Sequence, residues 1–351
     1  VNDVNAGVLV LRRMIPAAVL LLASGGCAAH LPAPGERVAF LERSSIAVAS
    51  DREQLYEADP ALHLMLWNGL EDSSILAAGG FATSGSISFL GSFRLLRGAS
   101  APIRVPTYEP RLRLQLFRGA VLRPGGEDEA SPRAHLLLGA LEVSVGHRSN
   151  GQNGCALADH VRYGSSDFDC APTTALPSAR LNVVDGSFTT NYVGVGLSGL
   201  WASPGSGGGA PPVVLTATSS IEWNFACGLG ACMPVEMRDR YGVALARGSL
   251  AAEARPWNPT IAGRRLGLGL RATLAGSAHL AAAGRAPFGD ASAELALVSR
   301  PRHGLATSLF VRRHQGRDPL NIRFEERLDA WILGVGLEPS PIASGPRPAG
   351  S

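Results

Sequence analysis

Lysine is absent: all 32 basic residues are arginine. That excludes Schiff-base chemistry, Ser–Lys dyads and P-loop phosphate binding. Charge of either sign is scarce, at 17 % of residues, where soluble domains carry roughly 25 %. The net charge of +3 gives no basic excess of the kind that holds nucleic acid. No apolar run reaches the ~18–20 residues that a membrane-spanning helix needs. A helical membrane protein is therefore excluded. A transmembrane β-barrel is not, because its apolar residues alternate with polar ones. Glycine is plentiful, 42 of 351 residues, but follows no G-x-y period, so a collagen-like chain is also excluded.

The first 29 residues read as an N-terminal extension with an export signal. Arg12 and Arg13 precede the short apolar core Ile15–Ala23, and small residues and Cys27 follow. A basic flank, a short core and a small-residue cleavage site have that meaning. Lipidation of Cys27 and cleavage after Ala29 are both open. Four cysteines lie downstream. An exported chain meets an oxidising compartment, so the local pairs Cys155–Cys170 and Cys227–Cys232 are expected as disulfides. No C-x2-C pair suggests zinc.

From residue 82 onward the dominant period is two. In 133–149, Leu137, Leu141, Val143, Val145, His147 and Ser149 share one face, while Glu142, Ser144 and Gly146 share the other. The same split recurs at 110–117, 211–225, 264–274 and 291–298. One face is apolar, and the other carries Arg, Glu, Ser and Thr. With an export signal, this pattern predicts an all-β, outer-membrane-type antiparallel barrel with lipid outside and a polar lumen. In that lumen Arg111, Arg113, Arg247, Arg255, Arg265 and Arg271 can pair with Glu142, Glu222, Glu253 and Glu294. A periplasmic β-sandwich is the alternative.

Ten clear strands are expected at about 83–96, 109–121, 133–149, 189–203, 211–226, 241–255, 263–278, 290–300, 303–315 and 327–338. Two weaker ones, at 37–49 and 61–68, bring the total to twelve. The barrel would thus fill 30–338, with a Pro/Gly/Ser tail at 339–351. Short turns near Pro204–Gly207 and Arg300–Arg302 would mark one end. The cysteine-bearing stretches 150–188 and 227–240 would mark the other.

Three polar residues occupy the apolar face. His147 and Ser149 continue the row of Val143 and Val145, and Asn191 begins the row of Val193, Val195 and Leu197. Polar side chains facing lipid are expensive unless they sit near the interface or serve a function. Antiparallel pairing of the two strands would set Asn191 beside His147 and Ser149. A hydroxyl nucleophile, a base and an orienting group would then be within reach of one another.

The stretch Gly146-His147-Arg148-Ser149-Asn150-Gly151-Gln152 resembles the H-x-S-N-G signature of the outer-membrane phospholipase A family. Pro102–Pro110 is similar to that family's Y-E-P segment, and Ser187-Phe188-Thr189-Thr190-Asn191 to the segment ending in its catalytic Asn. Gly316-Arg317-Asp318, Asn321, Phe324 and Gly334-Val335-Gly336 are similar to its last loop and strand. The resemblance implies a twelve-stranded barrel in the bacterial outer membrane. It also implies hydrolysis of phospholipid acyl esters, with activation by homodimerisation and Ca²⁺. It further implies Ser149 as nucleophile, His147 as base, Asn191 as orienter and the Gly151 N–H as oxyanion donor. Ser187, Ser100 and the Gln152 carbonyl would be calcium ligands.

The chain departs from the pattern in several places, among them Thr190, which stands where the family has an aromatic before the Asn. Gln152 replaces the family's usual Arg, and 44 positions separate His147 from Asn191, longer than the family's short loop. A lipid A deacylase-type barrel and a non-catalytic barrel or pore are the other readings. The Asn-Gly after Ser149 and the Y-E-P segment argue against the first. A densely charged lumen argues against the second.

Overall fold

The computed structural model describes residues 40–50, 54–71, 79–96, 103–122, 135–150, 188–204, 212–228, 230–233, 238, 241–257, 260–261, 264–265, 267–280, 288–300, 306–317 and 327–338. The expected N-terminal signal and C-terminal tail lie outside these residues, as does the Cys155–Cys170 pair.

The period of two becomes a series of long antiparallel strands. They are β1 (Ser44–Ala49), β2 (Gln54–Asp59), β3 (Ala61–Asn68), β4 (Phe81–Leu96), β5 (Ile103–Leu122), β6 (His135–Asn150) and β7 (Phe188–Ala202). Then come β8 (Val213–Asn224), β9 (Cys227–Gly228), β10 (Ala231–Cys232), β11 (Ala244–Trp257), β12 (Thr260–Ile261), β13 (Arg264–Arg265) and β14 (Gly267–Leu280). The last are β15 (Phe288–Arg300), β16 (Ala306–Arg317) and β17 (Arg327–Glu338).

The main sheet runs β2-β1-β17-β16-β15-β14-β11-β8-β7-β6-β5-β4-β3, and β2 also pairs with β4. That extra pairing closes the barrel. β2 and β3 both run along β4, one above and one below Pro60, whose carbonyl accepts from Gly91 N at 2.9 Å. Proline has no N–H to give to a ladder, and the strand breaks there. Counted as one stave, the two halves complete a closed twelve-stranded antiparallel barrel. Closure leaves no open strand edge for lipid to desolvate.

The polarity of the wall is the reverse of a soluble core. Leu62, Leu197, Leu250 and Leu274 are 61–62 % exposed on the outside, whereas Arg111, Arg113 and Glu222 are at most 5 % exposed inside. An apolar exterior around a charged interior is the arrangement of a transmembrane barrel. Trp223 and Trp331 stand exposed toward one rim. Trp201 stacks on His135 at the other, with ring centroids 5.2 Å apart. Amphipathic aromatics favour such interfacial levels.

The lumen is crossed by paired charges, which leave a cavity of about 730 Å³ between them. Phe40, Glu42 and Arg43, just ahead of β1, reach into it. Phe40 stacks on Phe117 at 6.4 Å, and Glu42 bonds Arg111 and Arg113. Arg43 crosses to Glu294 at 2.7 Å. Leu70, Ala82, Phe117, Leu138, Leu200 and Val214 form an apolar cluster near one end. Of the expected lumen charges, Arg111, Arg113, Arg247, Arg255 and Arg271 meet Glu142, Glu222, Glu253 and Glu294 or further carboxylates such as Glu338. Arg265 differs, because β14 begins at Gly267 and Arg265 pairs with Thr260 in the separate β12–β13 ribbon.

Two other boundaries depart from the alternation. β1 starts at Ser44 rather than near 37, because Glu42 and Arg43 turn inward to their ion partners. β2 was not expected, since Gln54–Asp59 is mostly polar. Its Glu57 is buried against Arg94 and Arg312, so the inward charge replaces the missing apolar signal.

Candidate active site

Strands β6 and β7 pair in unbroken register from Leu136↔Ala202 to Asn150↔Phe188. Within it His147 faces Asn191, and Ser149 faces Thr189. Side chains alternate sides along a strand, so His147, Ser149, Thr189 and Asn191 form a square on the outer surface. The square lies at the rim from which both cysteine-bearing connections depart. On the β5 side Tyr108 pairs with Ser149. Its ring packs with Phe89 and Phe93 at 5.8 and 6.0 Å, so the square borders an aromatic outer surface.

The hydrogen bonds orient the histidine and place a proton on Nδ1. Asn191 Nδ2 donates to the Gly228 carbonyl at 2.5 Å. A carbonyl only accepts, so the amide nitrogen must point there. Asn191 Oδ1 therefore faces His147 Nδ1 at 2.9 Å and accepts its proton. In the neutral ring Nε2 then keeps the lone pair. The Thr189 hydroxyl lies 3.1 Å from it and donates to the neutral ring. The imidazole is thus held as the tautomer that a general base toward a hydroxyl requires.

The β8–β11 connection supports this arrangement. Phe225 N donates to the Asn191 carbonyl at 2.8 Å, and Thr190 Oγ1 donates to the Phe225 carbonyl at 3.0 Å. β9 and β10 form a hairpin pairing Cys227 with Cys232 and Gly228 with Ala231. The expected Cys227–Cys232 disulfide closes it.

Beneath the square the lumen side is equally ordered. Arg148, between His147 and Ser149, points inward. It donates to Glu109 at 3.0 Å and to Glu222 at 2.5 Å. The Tyr192 hydroxyl donates to the other Glu109 oxygen at 2.6 Å, and Arg247 reaches Glu222 at 2.7 Å. Arg148 also lies over the Tyr192 ring, 4.7 Å from its centroid. A Cβ on Gly146 would come within 2.5 Å of that ring, so only glycine lets the tyrosine cross β6. Five strands, β5 to β8 and β11, are thereby tied together under the outward residues.

A comparison with family models returns no match, and neither does one with curated protein sequences. Among solved structures the chain is similar to an outer membrane phospholipase A from Escherichia coli, with 14 % identity and a TM-score of 0.43. That likeness covers 87 % of this chain and 95 % of the other. It is also similar to the Salmonella typhi outer membrane phospholipase, solved as a dimer with bound calcium. There the identity is 14 %, the TM-score 0.45 and the coverage 86 % and 92 %.

The residues expected at the site divide into two groups. His147 and Asn191 are joined directly, and Ser149 is the next outward residue on β6. Among the described residues Ser149 makes no hydrogen bond to His147; Thr189 takes that place on Nε2. Gly151, Gln152, Ser187 and Ser100 lie outside the described residues. The described outward positions of β5, β6 and β7 carry no carboxylate. A hard cation there would meet neutral oxygens alone, such as hydroxyls, an amide and carbonyls.

Thr189, Arg148, Glu109 and Gly228 were not singled out from the sequence as parts of the site. Parity would have found two of them. Thr189 shares the outward row of Asn191, and Arg148 the inward row of Glu142 and Ser144.

Proposed function

We propose that this chain is a phospholipase A-type acyl hydrolase of the bacterial outer membrane. The observation that carries the reading is the His147–Asn191 pair. It is an imidazole oriented through Nδ1 on a lipid-facing wall, one residue along the row from a serine hydroxyl. A lumen crossed by ion pairs supports this over a pore, since nothing in a passive barrel calls for an oriented base outside.

In the proposed reaction Ser149 displaces Thr189 from Nε2 and gives its proton to His147 as its Oγ attacks the acyl carbonyl. Asn191 Oδ1 holds the resulting imidazolium through Nδ1–H. Lacking a charge, it does so less strongly than a carboxylate would. The tetrahedral intermediate then expels the glycerol oxygen, which takes the proton from Nε2. Water, deprotonated by the same nitrogen, releases the fatty acid from Ser149. The Gly151 N–H is the proposed oxyanion donor, a role in which one donor is worth about 3–4 kcal/mol.

Calcium belongs to the proposal through Ser187, Ser100 and the Gln152 carbonyl. Bound there, it would supply Lewis-acid stabilisation of the oxyanion. Ser100 would come from a second copy of the chain, which makes the active form a homodimer. The substrate side is an aromatic outer surface around Tyr108, suited to acyl chains.

The test is hydrolysis of phospholipid in mixed micelles by the refolded barrel, beside Ser149→Ala. Loss of fatty-acid release in a variant that remains a folded, heat-modifiable barrel supports the reading. Release of acyl chains from lipopolysaccharide but not from phospholipid would move the assignment to a lipid A deacylase.

A further inference from the structure

The base is oriented by Asn191, and Asn191 is itself oriented by a segment remote in sequence. Its Nδ2 donates to Gly228 O at 2.5 Å across 37 positions. Without that acceptor the amide has no reason to prefer Oδ1 over Nδ2 toward the imidazole. If flipped, it would present N–H groups to Nδ1. Nδ1 would then have to accept, the ring proton would move to Nε2, and the lone pair facing the hydroxyls would be gone.

Gly228 belongs to a ladder of only two residue pairs, Cys227↔Cys232 and Gly228↔Ala231, turned at Gly230 with φ of +82°. A two-stranded piece of this length does not hold its shape alone in water. Two things hold it here. The Cys227–Cys232 bond closes it, and Met233 N bonds the Ala226 carbonyl at 2.8 Å just outside the bridge. Ala231 and Met233 are buried, so one edge of the hairpin is seated, while Gly228 itself is exposed.

From this we infer that the Cys227–Cys232 hairpin is a positioning element of the active site, acting through the Gly228 carbonyl on Asn191 and thence on the tautomer of His147. The base is then fully set only in the oxidised protein. This rests on the acyl-hydrolase reading for its kinetic consequence, but not for its effect on the imidazole.

The chemistry that tests it is reduction of the disulfide by a water-soluble phosphine. The phosphine supplies two electrons, and water supplies two protons and the oxygen of the phosphine oxide. The S–S bond becomes two thiols.

The experiment compares the folded wild-type barrel, before and after reduction, with Cys227→Ala/Cys232→Ala. Each is read by ¹⁵N NMR of labelled imidazoles and by phospholipid hydrolysis. The His147 signal, one of eight histidines, is assigned by its loss in His147→Gln. Oxidised wild type should show protonated Nδ1 and bare Nε2. Reduction and the double variant should both shift the population toward protonated Nε2 and lower kcat about tenfold or more, with KM little changed. The phosphine should do nothing further to the double variant. In an Asn191→Ala background, removal of the disulfide should have no additional effect.

An unchanged tautomer and rate on reduction would overturn the inference. So would an equal loss of rate in the presence and absence of Asn191, which would mark a merely structural role. Hydrolysis that survives Ser149→Ala would reject the acyl-hydrolase reading instead. In that event the tautomer shift alone still decides the role of the hairpin.

Discussion

Arg148 Nε donates to Glu109 Oε2 at 3.0 Å on the lumen side of the strand that carries His147 and Ser149 outward. The outward pair is thus mounted on the same peptide units that the buried ion network fixes. Arg148 is also shared with Glu222, and Glu109 with Tyr192. Removing the guanidinium leaves two buried carboxylates without their main partner. Breaking one side of a buried pair costs about 3–5 kcal/mol.

Arg148→Met should therefore lower the unfolding midpoint of the barrel in detergent and reduce hydrolysis together. Arg148→Lys should recover only part of either, because an ammonium cannot fork between two carboxylates. Heat-modifiable electrophoresis and denaturant unfolding give the first quantity, and fatty-acid release the second. Wild-type stability in Arg148→Met would dissociate the network from the site.

At Asn191 two substitutions separate orientation from charge. Asn191→Ala removes the partner of Nδ1 and should lower kcat by about 10²-fold. Asn191→Asp would place a charge near the imidazolium but a second acceptor against Gly228 O, where Nδ2 now sits at 2.5 Å. Repulsion there predicts activity below wild type. A gain in kcat for the aspartate would show that the Gly228 contact does not constrain the side chain in solution.

Thr189 holds the lone pair that Ser149 needs. Thr189→Val keeps the shape of the side chain and removes the hydroxyl, leaving Nε2 free for Ser149. Its kcat should stay within about threefold of wild type. Loss of hydrolysis in Thr189→Val, with retention in Ser149→Ala, would make threonine the nucleophile.

The alternation of polar and apolar residues made the barrel, its twelve staves and the outward rows of His147 and Asn191 legible. Period two assigns each side chain a face, and consecutive strands of an up-and-down barrel pair antiparallel. What parity does not reveal is who meets whom across the lumen. Arg148 reaches Glu222 two staves away, and Glu42 enters the lumen from a stretch that alternation assigned to a weak strand. The Gly228 contact was hidden for a similar reason. It depends on a loop folding back over β7, and a backbone carbonyl leaves no mark in a sequence.

The charge-crossed lumen also makes a prediction about transport. Phe40, Glu42 and Arg43 lie across the interior, and the charged residues there are paired. Planar-bilayer recordings of the purified barrel should show no stable porin-like conductance steps. Regular steps would show that the ion pairs do not close the lumen and would favour a channel.

The most direct measurement is the rate of fatty-acid release from phospholipid micelles by wild type and Ser149→Ala, each with calcium and with chelator. The Ser-His-Asn account predicts that the substitution lowers the rate about 10³-fold or more while the barrel stays folded. It also predicts that chelation suppresses the wild-type rate. If Ser149→Ala hydrolyses phospholipid as fast as wild type, the account is contradicted at its centre.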